Sequence, residues 1–328
     1  MTRVDITTGS RLHFGLLCAP PESDWHYGGL GLMLNQPVWQ INVAVIPDST
    51  EDLLHTSPAV AERAARLLSE FRQLYPQLPA VQVTTRCEVD HHAGLGSGTQ
   101  LTLSLTAAFV LLSGEPRPTT IESLAAKLGR RQRSAIGTFG FDHGGFIVDE
   151  GRTSNRIQRI SFPEEWRMVL LTPIASEGLS GSTEEAFFGE REFLDAELVQ
   201  KFDSLINNSI LPSLAQHNLA KFREALATYG EMVGSYYAAA QGGVFSDESI
   251  RELTEQLRHQ GIRGAVQSSW GPTACIPAAS EDDALAIQRA VFDIKSMHRM
   301  QVTIAEPRNT GATIRTVASE HNNYRSFG

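Results

Sequence analysis

The sequence predicts an α+β protein built in two halves, and three observations carry that prediction. Strand-like alternation and helical periodicity follow one another along all 328 residues, with no internal repeat. A composition shift near residues 161–165 divides the chain into 1–165 and 166–328, each long enough for a core of its own. In the second stretch, strands flank one or two helices in the rhythm of a ferredoxin-like sandwich.

The elements read in order as follows. Residues 3–7 and 39–46 alternate as strands, the latter through Ile41, Val43 and Val45. Residues 59–74 have helical spacing, and Val81, Val83, Thr85, Cys87 and Val89 mark another strand. A glycine-rich run at 92–98 leads into a helix ending near Leu112, apolar on most sides and so expected to be buried. Thr119 and Glu122 make a capping box for an amphipathic helix with Ile121, Leu124, Ala125 and Leu128, and 145–149 reads as a buried strand. The second half opens on a strand at 168–172, then a helix-rich region at 182–241 interrupted near Pro212. A helix capped by Ser246, strands at 264–268 and 273–276, a helix capped by Ser280, and strands at 301–306 and 313–317 complete the chain.

Bulk chemistry narrows the function classes. The formal net charge is -9, the wrong sign for a protein that neutralises a polynucleotide. The one dense basic cluster, Arg130, Arg131 and Arg133, has room for a small anion only. Cys18, Cys87 and Cys275 are far apart and form no C-x-x-C pair. They predict neither a disulfide framework nor a zinc site, and hence a reducing, cytoplasmic compartment. Residues 1–10 hold Asp5 and threonines where a signal peptide has its apolar run. The longest apolar stretch, 101–112, falls short of the roughly 20 residues of a membrane span.

Five runs of residues bear on chemistry. His92 to Gln100 reads HAGLGSGTQ between a strand and a helix. Successive glycines turn backbone N–H groups toward one point, the helix start adds partial positive charge, and Ser97 and Thr99 add hydroxyls. The run suits a phosphate or diphosphate; a tight turn with glycines for packing alone is the competing reading. Ser10 to Gly15 reads SRLHFG, which alternation splits into Arg11 and His13 on one face and Leu12 and Phe14 on the other. That polar face fits a carboxylate or phosphate, or simple exposure to water. Tyr27 to Gly31 (YGGLG) is either a loose loop or a backbone approaching a ligand. Arg133-Ser134 runs on to Gly144-Gly145 and Asp149, where close backbone packing is the default. Gln267 to Thr273 (QSSWGPT) joins two strands, with Trp270 open to a ligand-facing role.

Together these runs resemble the GHMP kinase superfamily and, within it, the β-ribofuranosylaminobenzene 5'-phosphate synthase family. The resemblance implies a GHMP-kinase-like two-domain architecture with a ferredoxin-like C-terminal domain. Phosphoryl-transfer residues usual in the kinases are missing: Thr8-Gly9-Ser10 stands for Pro-Gly-Lys, Gly15-Leu16-Leu17 for Gly-Glu-His, and Ser97-Gly98-Thr99-Gln100 for Ser-Ser-Ala-Ala. Ile136 and Gly137 occupy the region of an expected aspartate. The synthase resemblance implies condensation of 5-phosphoribosyl 1-diphosphate with 4-aminobenzoate or 4-hydroxybenzoate, releasing carbon dioxide and diphosphate, in tetrahydromethanopterin biosynthesis. Mg²⁺ and a homodimer come with it. Arg11, His13 and His92 are then the candidate catalytic residues. Gly28, Gly29, Gly94, Gly96, Ser97, Gly98, Thr99, Gln100, Arg133, Ser134, Ser268, Ser269 and Trp270 are the candidates for substrate binding. Asp149 and Glu184 are metal-ligand candidates by elimination only. An ATP-dependent small-molecule kinase and a ligand sensor on the same fold are the alternatives.

Overall fold

The computed structural model describes residues 2–15, 17–18, 27–87, 93–114, 135–150, 157–174, 194–294 and 299–317. The first sheet has eight strands: β1 (Arg3–His13), β2 (Leu17–Cys18), β3 (Tyr27–Val45), β4 (Leu53–His55), β5 (Val81–Cys87), β6 (Phe146–Asp149), β7 (Ile157–Ile160) and, from the far end of the chain, β12 (Thr313–Val317). Its main path is β12-β1-β3-β5-β4, and β3 is long enough to pair with β5 near its end and with β6 near its start. Register is set by apolar pairs such as Ile6 opposite Ile41 and Val4 opposite Val43, all buried.

Both central strands run well past the stretches that alternation marks. β1 continues to His13 and β3 begins at Tyr27, because glycines and a proline blur the period-2 signal there without ending the pairing. Between Gly9 and Ser10 the register jumps from Val38 to Leu34, so residues 35–37 leave the ladder. Pro37 has no N–H to donate, and an interruption of this kind is where a strand tolerates it. Ser10 Oγ donates to the Gln36 carbonyl at 3.0 Å and holds the loop.

Among the described residues three helices accompany this sheet: α1 (Pro58–Leu74), α2 (Ser97–Ser113) and α3 (Ile136–His143). α1 presents Val60, Ala64, Leu67, Leu68 and Phe71 as a helical stripe. α2 is buried on nearly every side, as its composition predicts. Its hydroxyls reach no solvent there: Thr102 Oγ1 donates to the Gly98 carbonyl and Ser104 Oγ to that of Gln100, at 2.9 and 2.8 Å.

The second sheet contains β8 (Arg167–Pro173), β9 (Val266–Gln267), β10 (Ala274–Ala278) and β11 (Met300–Ala305), in the order β11-β8-β10-β9. Relabelled within this sheet the order is 4-1-3-2, all antiparallel, which is the ferredoxin-like arrangement predicted. Its helices are α4 (Ala196–Leu205), a π turn (Ile206–Ile210), α5 (Leu211–Ala215), α6 (Leu219–Gln241), α7 (Glu248–His259) and α8 (Glu281–Asp293). Alternation sends Val169, Leu171 and Ile276 toward α7 and α8, and Met168, Leu170 and Cys275 into the main core.

Several details correct the sequence reading. Near Pro212 the α-helical ladder is interrupted by the π turn at Ile206–Ile210, which runs directly into α5, and the chain leaves helix at residues 216–218. Asp247, not Ser246, caps α7 by accepting from Ser249 N–H at 2.9 Å. The last strand does not belong to the C-terminal sheet: β12 pairs with β1, so 166–328 is not one structural unit. Arg308 fixes this return, its backbone bonding Met33 and Gly145 and its guanidinium donating to Asn35 Oδ1 and to the carbonyls of Thr7 and Gly311. The second half keeps a core of its own between its sheet and α7 and α8, while the larger cluster is shared by both halves. Phe146 of the first sheet stacks on Phe162, which meets Phe222 of α6 edge-on at 5.6 Å, and one apolar cluster runs through both. The capping-box helix lies outside the described residues, and among those described no helix is long and apolar enough to cross a membrane.

Candidate active site

The two sheets meet where the end of β1, the glycine-rich turn and the 267–273 loop converge. Arg11 N–H donates to the Leu95 carbonyl at 2.9 Å, laying the turn against β1. Ser268 Oγ, fully buried, accepts from His13 N–H at 3.0 Å and donates to the Gly94 carbonyl at 2.7 Å. Ser269 N–H closes the knot on the His13 carbonyl at 2.6 Å. One hydroxyl thus joins three segments that are 174 and 255 residues apart in pairs.

Backbone conformation then aims the turn. Gly94 and Gly96 have φ of 77° and 68°, a left-handed region that glycine enters without the cost a Cβ imposes. At Gly94 a Cβ would lie 2.6 Å from the Ser268 carbonyl oxygen and 2.8 Å from that of Gly271. Gly96 caps α2 without a side chain, so the N–H groups of Ser97 and Gly98 precede the helix's own hydrogen-bond ladder. They face the positive end of a 17-residue helix, the setting in which backbone amides hold an anion.

Arg11 lies along this helix start. A Cβ on Gly96 would be 2.9 Å from its Nε, and one on Gly137 2.8 Å from its Nη1. Two glycines, on the turn and on α3, therefore make the channel that its guanidinium occupies. His13 is close behind and enclosed. Its Nδ1 faces Gly15 N–H at 3.4 Å, which places the ring proton on Nε2. Burial, and then the Arg11 charge, hold its pKa well below the usual 6.5, so the imidazole is neutral at physiological pH. His13 is thus a hydrogen-bonding group or a base, not a resident acid.

The structure sorts the remaining candidates. Ser97 and Thr99 sit on the first turn of α2, buried and half-buried respectively. Gly28 and Gly29 are strand residues of β3, paired with Leu17 and Asp149, and Gly29 lets the Gly15 carbonyl pass where a Cβ would stand. Gln100 is not presented to a ligand. Its Oε1 accepts from Thr8 Oγ1 at 2.9 Å and its Nε2 donates to the Gly137 carbonyl at 3.0 Å, in full burial. Gln100→Leu is expected to orphan both partners and lower the unfolding free energy by about 2 kcal/mol or more, measured by urea titration. Ser268 is likewise a structural knot, and Trp270 is packed edge-on against Tyr237 at 4.6 Å with 6% of its surface exposed. Asp149 accepts from Ala135 N–H at 2.9 Å and so anchors the start of α3. Among the described residues no three His, Cys, Asp or Glu side chains are grouped for a metal. Cys275 is buried and its thiol pushed far up by burial, so it is no nucleophile. His92, Arg133, Ser134 and Glu184 lie outside the described residues.

One cation near the turn has no counterpart in the motif reading. Arg63 of α1 reaches the space beside Gly98, where a Cβ would run into its Nη1. Position 63 flanks the inward stripe of 60, 64, 67 and 71, but nothing in that pattern marks it as facing the turn.

This architecture and turn can be set beside known proteins. Residues 59–147, which include α1, the turn and α2, match the family described as GHMP kinases N terminal domain. Over 94% of its length the chain is 27% identical to a β-ribofuranosylphenol 5'-phosphate synthase of Methanothermobacter thermautotrophicus, covering 97% of that protein. The chain thus carries a GHMP kinase N-terminal domain and is similar to these synthases along nearly all of its length. A second enzyme of the same description, from Archaeoglobus fulgidus, is 28% identical over 94% of the chain and 98% of its own. Among solved structures, a mevalonate pyrophosphate decarboxylase of Streptococcus pyogenes superposes with a TM-score of 0.67 over 94% of this chain and 97% of that one, at 15% identity. That likeness is one of fold.

Proposed function

We propose that this enzyme transfers the phosphoribosyl group of 5-phosphoribosyl 1-diphosphate to a 4-substituted benzoate, at the ring carbon that bears the carboxylate. The observation that carries the reading is the glycine turn at the start of α2 with the Arg11 guanidinium along it. Backbone amides, a helix terminus and a cation are together suited to a diphosphate on which negative charge grows as it leaves. The relatives' names speak of a ribosylated phenol. The benzoate that yields a phenol on losing its carboxylate is 4-hydroxybenzoate, which makes it the acceptor of choice over 4-aminobenzoate.

The chemistry balances without a proton from the protein. The bond from ribose C1 to the diphosphate oxygen breaks, and the oxygen keeps the electron pair. The ring carbon bonds to C1, pushed by the para oxygen. The carbon–carboxylate bond then breaks, its electrons restore the aromatic ring, and carbon dioxide departs. A neutral His13 fits such a sequence, since no step asks it for an acid proton. A site closed to water would favour the loss of charge from the carboxylate. Among the described residues no group of three or more His, Cys, Asp or Glu side chains is placed for a metal, and Asp149 accepts a hydrogen bond at the start of α3. Mg²⁺ has a place in this reading only as a companion of the donor's diphosphate, and no step is assigned to it.

The test is purified protein with 5-phosphoribosyl 1-diphosphate, Mg²⁺ and each benzoate in turn. Release of diphosphate and carbon dioxide in equal amounts is the expected result, faster with 4-hydroxybenzoate. ATP-dependent phosphorylation of homoserine, mevalonate or a sugar panel is expected to be absent, and turnover of any of them overturns the reading. Sedimentation of the same sample tests the homodimer implied by the family.

A further inference from the structure

Several partly buried arginines among the described residues are held by acids or carbonyls. Arg72 holds Asp52 in a two-pronged contact at 2.6 and 2.8 Å, Arg223 holds Asp283 at 2.7 Å, and Arg308 is surrounded by carbonyls. Arg63 differs. It is half-buried, yet among the described residues no acid or carbonyl is hydrogen-bonded or ion-paired to it. Glu62 and Arg66, on its own helix, are the charges near it, and burial followed by Arg66 draws its pKa down. A half-buried guanidinium with no counter-charge bound to it keeps its N–H donors available to an anion.

Its position says what that is. The guanidinium reaches the N-terminal turn of α2 beside Gly98, and the glycine is what admits it, since a Cβ would collide with Nη1. Gly98 stands in the first turn of α2, where any side chain would have to displace this guanidinium. Gly96, two residues earlier, makes the same kind of room for Arg11 on the side of β1 and α3. Two arginines, from β1 and from α1, thus approach one helix terminus through two glycines of the same turn.

We propose that Arg63 is a substrate-binding residue, forming with Arg11 a two-sided cationic clamp on a diphosphate seated at the start of α2. The inference rests on the diphosphate reading above and extends it to a residue that the sequence motifs leave out. Arg63 then gains its missing partner only when donor or product diphosphate is bound, and it contributes affinity without structural work in the free enzyme.

The experiment is calorimetric titration of the full chain with inorganic diphosphate, in parent, R63A, R11A and R66A proteins. R63A is expected to weaken diphosphate by about 10- to 100-fold, the effect of one charge-assisted contact, with its thermal midpoint unchanged or raised. R66A, which removes an exposed neighbour, is expected to bind within about twofold of the parent. The KM for the donor should rise in R63A while that for the benzoate stays put. Should R63A not fold, R63Q keeps length and donors while removing the charge, and the same loss is expected. Parent-like diphosphate binding in R63A, with R11A impaired, overturns the clamp and leaves the diphosphate reading standing. A parent that does not bind diphosphate overturns both.

Discussion

Gly96→Val is expected to raise the KM for 5-phosphoribosyl 1-diphosphate by about 100-fold or more while the protein still folds. Three effects act together. A β-branched residue at φ of 68° is strained by roughly 1–3 kcal/mol. Its Cβ stands 2.9 Å from Arg11 Nε, so the guanidinium must leave its channel. The valine methyls also occupy the approach to the N–H groups of Ser97 and Gly98. Losing a charge-assisted contact costs about 1.5–3 kcal/mol by itself, and here the cation and the amides are disturbed at once. Gly114, at the other end of the same helix, is the control. It too is left-handed, with φ of 76°, but a Cβ there meets nothing within 4 Å. Gly114→Val should therefore lose a similar amount of stability with donor binding intact. Equal donor KM values in the two variants would show that the anion does not sit at this turn. Steady-state kinetics against donor concentration and thermal unfolding together decide it.

Much of the fold was legible because period and composition are local properties. α1 begins one residue before its predicted start, β12 has the predicted bounds, and the all-round apolarity of 101–112 announced a buried helix. What failed was non-local. No pattern in residues 313–317 says that they return to the first sheet, because any strand with a free edge offers the same ladder. Strands β1 and β3 were cut short because Gly9, Gly29, Gly31 and Pro37 interrupt alternation, whereas each serves a close approach or a register jump.

The candidate site divides along the same line. Glycines 94 and 96 were readable, since positive φ before a helix has few other causes. Gln100 and Ser268 read as polar residues in polar motifs, yet their hydrogen bonds run to Thr8, Gly137, His13 and Gly94 inside the protein. A motif shows that a polar atom is needed but not which side of it the partner lies on. Arg63 was hidden for the opposite reason. It belongs to no motif, and only the packing of α1 on α2 brings it to the turn.

Arg11→Ala and His13→Gln are expected to separate the two polar residues at the end of β1. Arg11 lies beside the N–H groups proposed to receive the leaving diphosphate, so its loss should lower kcat/KM by about 10- to 150-fold. His13 should matter less to the rate, because the reaction requires no acid and the ring is neutral. Its larger signature is in stability. Burial and the Arg11 charge keep the folded-state pKa well below 6.5, while the unfolded chain takes up a proton near 6.5. Below that pH the unfolded state binds more protons than the folded one, so stability present above pH 6.5 is lost as the pH falls. His13→Gln abolishes this contribution, and its urea midpoint should change less between pH 7.5 and 5.5 than the parent's. A His13→Gln variant with the parent's full acid sensitivity would mean that the buried imidazole is not what titrates. Arg11→Ala and His13→Gln proteins that both turn over like the parent would leave the end of β1 a structural seam. The helix terminus, without its arginine, would then be the whole of the anion site.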